Sequence, residues 1–291
     1  MTAGPSPGAS GTALGANVPA PARVLAALGL PSEGRVIELA QILDSTAVTE
    51  RPRLFHQVLL AHGLLDRDDT TSTEGRATFF DEIVTQSYHM GCHVDALAHV
   101  GVDGVFHGGA ASEEIYSPLG LRRLGIEASR PWIARGLCLD LTAVVGPDRL
   151  GGGAVIGTDQ LEAACERQGV AVEEGDAVLV NTGWGALWHA DPERYASAAP
   201  GVGIEATRWL VERSPVLVGA DTWSFEPMPV EDPSRPLRVH QLLLAENGIQ
   251  IVENAKLDEL VEATAGPFLF LAAANRVRGA SASMIAPVAV L

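Results

Sequence analysis

The chain has 291 residues, 47% of them hydrophobic, which is enough material for one large domain or two small ones with a sizeable core. Its formal net charge of −16 disfavours binding to nucleic acid or to anionic membrane, because both attract basic surfaces. No apolar run is long enough to span a membrane, and the N-terminus lacks the pattern of a secretory signal. Cys92, Cys138 and Cys165 form no C-x-x-C pair, so we expect a cytoplasmic protein without a disulfide framework.

The N-terminal third changes character along its length. Residues 1–22 are almost entirely Ala, Gly, Pro, Ser and Thr, which predicts a flexible tail, and residues 23–291 are predicted to form the functional domain. Residues 36–39 predict a strand. The apolar spacing within residues 51–69 predicts a short helix followed by an exposed loop, and residues 68–73 are polar without a period.

Residues 89–99 read HMGCHVDALAH and are the most informative part of the chain. His89, His93, Asp95 and His99 fall within eleven residues, although the whole chain has only eight histidines. Imidazole and carboxylate are the ligands that zinc- or manganese-class ions take from proteins. A metal site explains this density better than scattered surface or core histidines do.

The backbone of this run is predicted to be extended at first. Gly91 argues against a helix through the first half. On an extended strand, the side chains of His89, His93 and Asp95 share one face, and Cys92 points to the other face and packs away. A turn or a helix start is predicted at Ala96.

The rest of the chain predicts an α/β fold, a single domain with a mixed sheet, because strands and helices intermingle without strict alternation. A turn is predicted at residues 151–153, since no Gly-Lys-Ser/Thr follows to make a phosphate loop. Asp159 and Glu162 are predicted to cap a helix that ends near Gly169, and residues 174–176 are predicted to form a turn. Strands are predicted at residues 137–145, 177–180, 216–219, 249–252, 268–273 and 284–290, and further helices at residues 204–213, 240–246 and 257–263.

The run at residues 89–99 resembles the H-x-G-T-H-x-D-x-P-x-H motif of the putative cyclase superfamily, which includes bacterial kynurenine formamidase and isatin hydrolase. Cys92 stands where that motif usually has Thr, and Leu97 where it usually has Pro. The resemblance extends from about Arg35 to the C-terminus and is that of a long-form member. Further matching segments follow in the family's order at residues 136–141, 181–184, 219–222, 240–244 and 251–254.

The resemblance implies a swivelling β/α/β-type cyclase fold, a homodimer or homotetramer, and one or two divalent ions, Zn or Mn. It implies catalytic roles for His99, as general acid/base or as ligand to a second metal, and for His240 in proton transfer or metal binding. The metal ligands that it implies are His89, His93, Asp95 and Glu253.

A substrate pocket is a further implication. The family's corresponding segments lie near the active site, so Trp184 and Trp223 are candidates for the wall of a pocket that binds a small molecule, with an aromatic one as a candidate. His107 lies in a glycine-rich loop that borders the pocket in longer members.

The predicted function is that of a metal-dependent amidohydrolase, related to kynurenine formamidase and isatin hydrolase. It opens a small cyclic or aryl amide, such as a formamide, lactam, imide or lactone, through metal-activated water. Two alternatives remain open: a metal-dependent cyclase or dehydratase that acts through an enolate, and a non-catalytic metal- or ligand-binding protein.

Overall fold

The computed structural model describes residues 18–44, 53–64, 78–146 and 150–291. The strands are Val36–Glu38 (β1), Phe55–Leu64 (β2), Thr78–Gln86 (β3), His93–Asp95 (β4), Val105–Phe106 (β5), Ala110–Ala111 (β6), Trp132–Asp140 (β7), Val155–Ile156 (β8), Ala177–Asn181 (β9), Gly201–Val202 (β10), Leu217–Ala220 (β11), Gln250–Glu253 (β12), Phe268–Ala272 (β13), Ala282–Met284 (β14) and Val288–Val290 (β15).

The α-helices are Pro21–Leu28 (α1), Ser112–Ile115 (α2), Thr142–Val145 (α3), Thr158–Gln168 (α4), Leu187–Ala190 (α5), Pro192–Ser197 (α6), Ile204–Glu212 (α7), Arg238–His240 (α8) and Asp258–Ala263 (α9). Short 3₁₀ turns lie at His107–Gly109, Ile126–Ala128 and Trp184–Ala186, and a π-helix, Gln241–Glu246, continues α8.

Nine strands form one curled sheet in the order β1-β15-β13-β7-β9-β11-β12-β4-β14. The four strands β7, β9, β11 and β12 are parallel, and the outer pairs are antiparallel. The predicted single α/β domain with a mixed sheet is therefore confirmed. The central strands are buried on both faces, as parallel strands usually are.

Alternate residues of the central strands contribute to two apolar layers. In β9, Val178 and Val180 belong to the cluster that packs under α4, α7 and the π-helix. Ala177 and Leu179 belong to the cluster that also contains Phe268 and residues of β1 and α9. The period of two along β9 thus explains why both faces of the sheet are covered.

Most of the predicted elements after residue 136 are confirmed, with small corrections. α4 ends at Gln168 and is followed by Gly169, whose φ is +66°. At its N-terminus the Gln160 side chain, and not Asp159 with Glu162, forms the cap by accepting a hydrogen bond from Gly157 N. The strand predicted at residues 137–145 ends at Asp140 and gives way to α3. The strand predicted at residues 284–290 is instead two strands, β14 and β15.

The helix predicted within residues 51–69 is wrong. Residues 55–64 form β2, which pairs with β3 outside the main sheet. The reason is a partner strand further along the chain, which local apolar spacing does not reveal. Leu59, Leu60 and Ile83 on this pair are more than half exposed, and the homodimer or homotetramer stays a prediction.

Some predictions lie outside the described residues. These include most of the N-terminal tail, at residues 1–17, and the polar segment 68–73. α1 begins at Pro21, inside the stretch predicted as a tail. Among the described helices, none has the length and apolarity needed to cross a membrane.

Candidate metal centre

Strand β4 brings the histidine-rich run next to a distant acid. β4 lies between β12 and β14, and the register sets Glu253 opposite His93. The prediction of extended chain from His89 onward is wrong, because Gly91 has φ +62° and turns the chain before β4 begins. The predicted turn after Asp95 is confirmed by the hydrogen bond from His99 N to Ala96 O.

Asp95 lies at the centre of the cluster. Its Oδ1 is 3.0 Å from His89 Nδ1 and 3.7 Å from His93 Nε2, and its Oδ2 is 3.9 Å from both His99 Nε2 and His240 Nε2. Asp95 and His93 are fully buried. Four imidazole rings therefore surround a single carboxylate.

Glu253 joins the same cluster from β12. Its Oε2 lies 3.2 Å from His93 Nε2, and its Oε1 lies 3.2 Å from His240 Nε2. Its Oε1 also accepts a hydrogen bond from Phe225 N. The six residues predicted as metal ligands or catalytic groups thus lie together, although they come from segments more than 100 residues apart.

The donor atoms fall into two groups that share Asp95. Ligand atoms of His89, Asp95 and His99 lie within 4.8 Å of one another, and so do those of Asp95, His240 and Glu253. His93, predicted as a ligand, belongs to neither group by this measure, although its Nε2 faces Asp95 and Glu253. These two groups form a candidate metal site.

Several of these atoms have no hydrogen-bond partner. They are His89 Nδ1, His93 Nε2 and both carboxylate oxygens of Asp95, all inaccessible to solvent. Burying a polar group without a partner costs free energy, and buried polar groups are nearly always paired. Nitrogen and oxygen donors in this arrangement fit a zinc- or manganese-class cation.

Three of the imidazoles are held through the ring nitrogen that points away from Asp95. His93 Nδ1 donates to Gly91 O at 2.9 Å, and His89 Nε2 lies 3.1 Å from Ser281 Oγ. His240 Nδ1 hydrogen-bonds to the carboxylate of Glu226. Such contacts fix the tautomer and the orientation of ligating histidines. In the described part of the chain, neither ring nitrogen of His99 has a hydrogen-bond partner.

The surrounding histidines lower the pKa values of the two acids in the cluster. Burial by itself would raise the pKa of Asp95, but His99 and His89 outweigh it and lower that pKa to about 2. Burial likewise opposes ionisation of Glu253, yet His240, which hydrogen-bonds to it, and His93, whose Nε2 lies 3.2 Å away, hold its pKa well below the ordinary value. Both carboxylates are therefore ionised at neutral pH and available to a cation.

The pKa values of the histidines shift in different directions. Burial lowers the pKa of His99 to about 4, against the attraction of Asp95. Burial also works against a charged His240, but hydrogen bonds to Glu226 and Glu253 raise its pKa to about 10. The pKa of His93 is raised because Glu253 and Asp95 outweigh burial. The neighbouring acids therefore favour the charged forms of His93 and His240.

Sequence reasoning missed three residues that support the cluster. Glu226 is buried and contacts His240, Ser281 contacts His89, and Asn254 Nδ2 donates to Gly91 O beside His93. Glu226 and Ser281 are single residues far from the motif in sequence, so no local pattern marks them. Only Asn254 had a signal, because it follows Glu253 in the segment that resembles the family.

The predicted pocket tryptophans lie in a buried aromatic cluster. Trp184 is 2% exposed and Trp223 is 9% exposed, and each indole N–H donates to a backbone carbonyl. Tyr195, in the same cluster, donates through its hydroxyl to Asn254 Oδ1. The cluster therefore packs behind the residue that supports His93. A role in the pocket wall stays a prediction.

Two further predicted positions can be located. Cys92 is 4% exposed within the apolar layer, which confirms that it packs away from the cluster, and burial raises its pKa well above the ordinary value. His107 begins a 3₁₀ turn, and its Nδ1 hydrogen-bonds to Ala245 O on the π-helix. Whether His107 borders a substrate pocket stays a prediction.

A family model described as Putative cyclase matches residues 37–227. The chain belongs to this cyclase family. The match includes β4 and the whole run from His89 to His99, so the predicted family resemblance is confirmed. Among curated proteins, no relative matches the sequence.

Solved structures share the fold over almost the whole chain. The crystal structure of a novel cyclase has 27% identity and a TM-score of 0.83, with 94% of this chain and 93% of that chain covered. Isatin hydrolase A from Ralstonia solanacearum has 22% identity and a TM-score of 0.67, with 88% and 91% covered. An isatin hydrolase bound to the product analogue thioisatinate has 17% identity and a TM-score of 0.63, with 88% and 92% covered. At these identities the two isatin hydrolases establish the fold alone.

Proposed function

We propose that this protein is a metal-dependent amidohydrolase that opens a small cyclic or aryl amide. The observation that carries the proposal is the set of buried donor atoms around Asp95 that have no hydrogen-bond partner. Polar groups buried in a core normally have hydrogen-bond partners. Unpaired donors that face one another are suited to a cation.

His89, His93 and Asp95 would hold one divalent ion, zinc or manganese, because their donor atoms are nitrogen and oxygen. Glu253 and His240 extend the donor set on the other side of Asp95. This arrangement supports a second ion as well as a single one.

When bound, a divalent ion lowers the pKa of water to about 7 and polarises a carbonyl oxygen. His99 is the residue best suited to carry a proton to the leaving nitrogen. Its side chain is 26% exposed, and its Nε2 is 3.9 Å from Asp95 Oδ2. It reaches the edge of the cluster without being locked by a hydrogen bond to another described residue, so it can face both the substrate and solvent. His240, buried and held at both ring nitrogens, is the weaker candidate for this role.

The substrate class is proposed by analogy with the relatives. An isatin hydrolase of the same fold has been seen with thioisatinate, a product analogue. An isatin-like lactam is therefore one candidate here, and an N-formyl aryl amine such as N-formylkynurenine is another. Both present a carbonyl beside an aromatic amine nitrogen.

The test is a panel of lactams, formamides and lactones assayed with purified protein whose metal content has been measured. We expect hydrolysis that disappears after chelation, returns with Zn²⁺ or Mn²⁺, and is lost in His93→Ala. His189→Ala is the matched control, because His189 is exposed and lies outside the cluster. Hydrolysis that survives both chelation and His93→Ala would refute the proposal. Product mass separates the alternatives, since hydrolysis adds water, dehydration removes it, and a binding protein leaves the mass unchanged.

A further inference from the structure

Glu226 is a buried acid in contact with the centre that none of the proposed roles uses. It is 2% exposed, and its Oε1 contacts both Nδ1 and the backbone N of His240. A carboxylate that accepts the proton of one ring nitrogen leaves the opposite nitrogen facing away from it. In His240 that opposite nitrogen, Nε2, faces Glu253 and Asp95.

The segment that carries Glu226 is fixed by its own backbone. Val202 N donates to Phe225 O, and a Cβ on Gly201 would come within 2.2 Å of the Glu226 carbonyl carbon. This close approach holds the main chain of Glu226 against the neighbouring strand. Because the main chain is fixed, the distance from the Glu226 carboxylate to His240 depends on the length of the side chain.

The same segment also orients Glu253. Phe225 N donates to Glu253 Oε1 at 2.8 Å, and Oε1 is the oxygen that faces His240 Nε2. Two consecutive residues, Phe225 and Glu226, thus contact two of the three members of the second donor group, Glu253 and His240. In His89 and His93, the ring nitrogen that points away from Asp95 contacts an uncharged group instead, the Ser281 hydroxyl and the Gly91 carbonyl.

We propose that Glu226 is a positioning residue that orients His240 so that its Nε2 faces the metal centre. This inference rests on the proposed function only in assuming that an ion binds at the centre, because the orientation of the His240 ring is itself part of the structure. At other metal sites, the removal of a partner of this kind lowers metal affinity about 10- to 100-fold.

The experiment compares four full-length proteins: wild type, Glu226→Gln, Glu226→Asp and Glu231→Gln. Glu231 is the matched control, because it is an exposed acid five positions along the same segment that only accepts from Ile204 N. Affinity for Zn²⁺ and Mn²⁺ is measured by competition with a chelator. The Nδ1 proton of His240 is observed by NMR in metal-free protein and assigned with a His240→Gln variant.

We expect Glu226→Gln to bind ions about 10- to 100-fold more weakly and to lose the shifted Nδ1 proton signal. Glu226→Asp keeps the charge but is one methylene shorter, so it should also weaken binding, whereas Glu231→Gln should match wild type. Thermal unfolding confirms that each variant is folded, and Glu226→Asp serves if Glu226→Gln is not. Wild-type affinity together with an unchanged ring signal in either folded Glu226 variant would overturn the inference and leave the proposed function standing. If the wild type binds neither ion, the proposed function is refuted. The NMR signal of the His240 Nδ1 proton would then still test whether Glu226 orients the ring.

Discussion

Asp95 and Asp221 are both carboxylates buried at the end of a strand, yet their surroundings are opposite. Asp221 Oδ1 accepts hydrogen bonds from Thr182 N and Thr182 Oγ1, and its Oδ2 accepts one from Gly185 N. Both oxygens of Asp95 have no hydrogen-bond partner. The two residues are therefore similarly buried, but their hydrogen bonding indicates different roles.

The difference reflects the type of group around each acid. Uncharged donors surround Asp221, and burial raises its pKa. Imidazoles surround Asp95, and its pKa is lowered to about 2 in spite of burial. A carboxylate saturated by hydrogen bonds holds a loop in place, whereas one that faces only ligand-type side chains is available to a cation. Substitutions at the two positions should separate stability from metal binding.

The largest effect is expected for Asp95→Asn. Asp95 belongs to both donor groups, so its loss should weaken Zn²⁺ or Mn²⁺ binding by at least about 100-fold and abolish hydrolysis. Chelator competition and product assays measure both quantities. Metal affinity within about threefold of wild type would remove Asp95 from the centre of the site.

Chelation provides the second comparison. An ion that binds only the folded state, present at about 100 times its Kd, stabilises that state by about 2.7 kcal/mol. Wild type and Asp221→Asn should both show a lower Tm after metal removal, but Asp95→Asn should not. An equal drop in all three proteins would mean that the ion binds elsewhere.

Asp221→Asn should act on stability instead. The new amide places an N–H against the N–H of Gly185 or Thr182, which leaves buried donors unpaired at a cost of about 1–3 kcal/mol. Denaturant unfolding of metal-free protein measures the loss. Folded Asp221→Asn should still bind metal with wild-type affinity, and a stability equal to wild type would contradict the structural role.

The smallest effect concerns acid stability around Asp95. The pKa of His99 is about 4 in the folded protein, below the usual 6.5, because burial disfavours its charged form. Between about pH 6.5 and pH 4 the unfolded chain binds a proton that the folded chain does not, so stability falls as the pH falls. Metal-free wild type should lose roughly 1–2 kcal/mol more over this range than His99→Gln.

The control for this measurement is His189→Gln, which replaces an exposed histidine. It should follow wild type across the range. If His99→Gln loses stability at the same rate as wild type, His99 is not buried enough in solution to resist protonation, and the inference that burial lowers its pKa is wrong.

The sequence alone determined the donor types and the family. His89, His93, Asp95 and His99 lie within eleven residues, so their proximity follows from chain connectivity whatever the fold does around them. The period of two in β9 and the apolar spacing of α7 are likewise local properties, which is why those elements were predicted within one residue of their bounds.

The tertiary structure alone decided how those donors converge. Pairing of β12 with β4 puts Glu253 beside His93, a contact across 160 residues that was expected only from the family resemblance. Glu226 and Ser281 reach the histidines through the packing of separate segments, and no local pattern marks either of them. Local sequence fixes periodicity and chemical type, but contacts between distant segments depend on which strands pair, and that is settled only when the whole sheet forms.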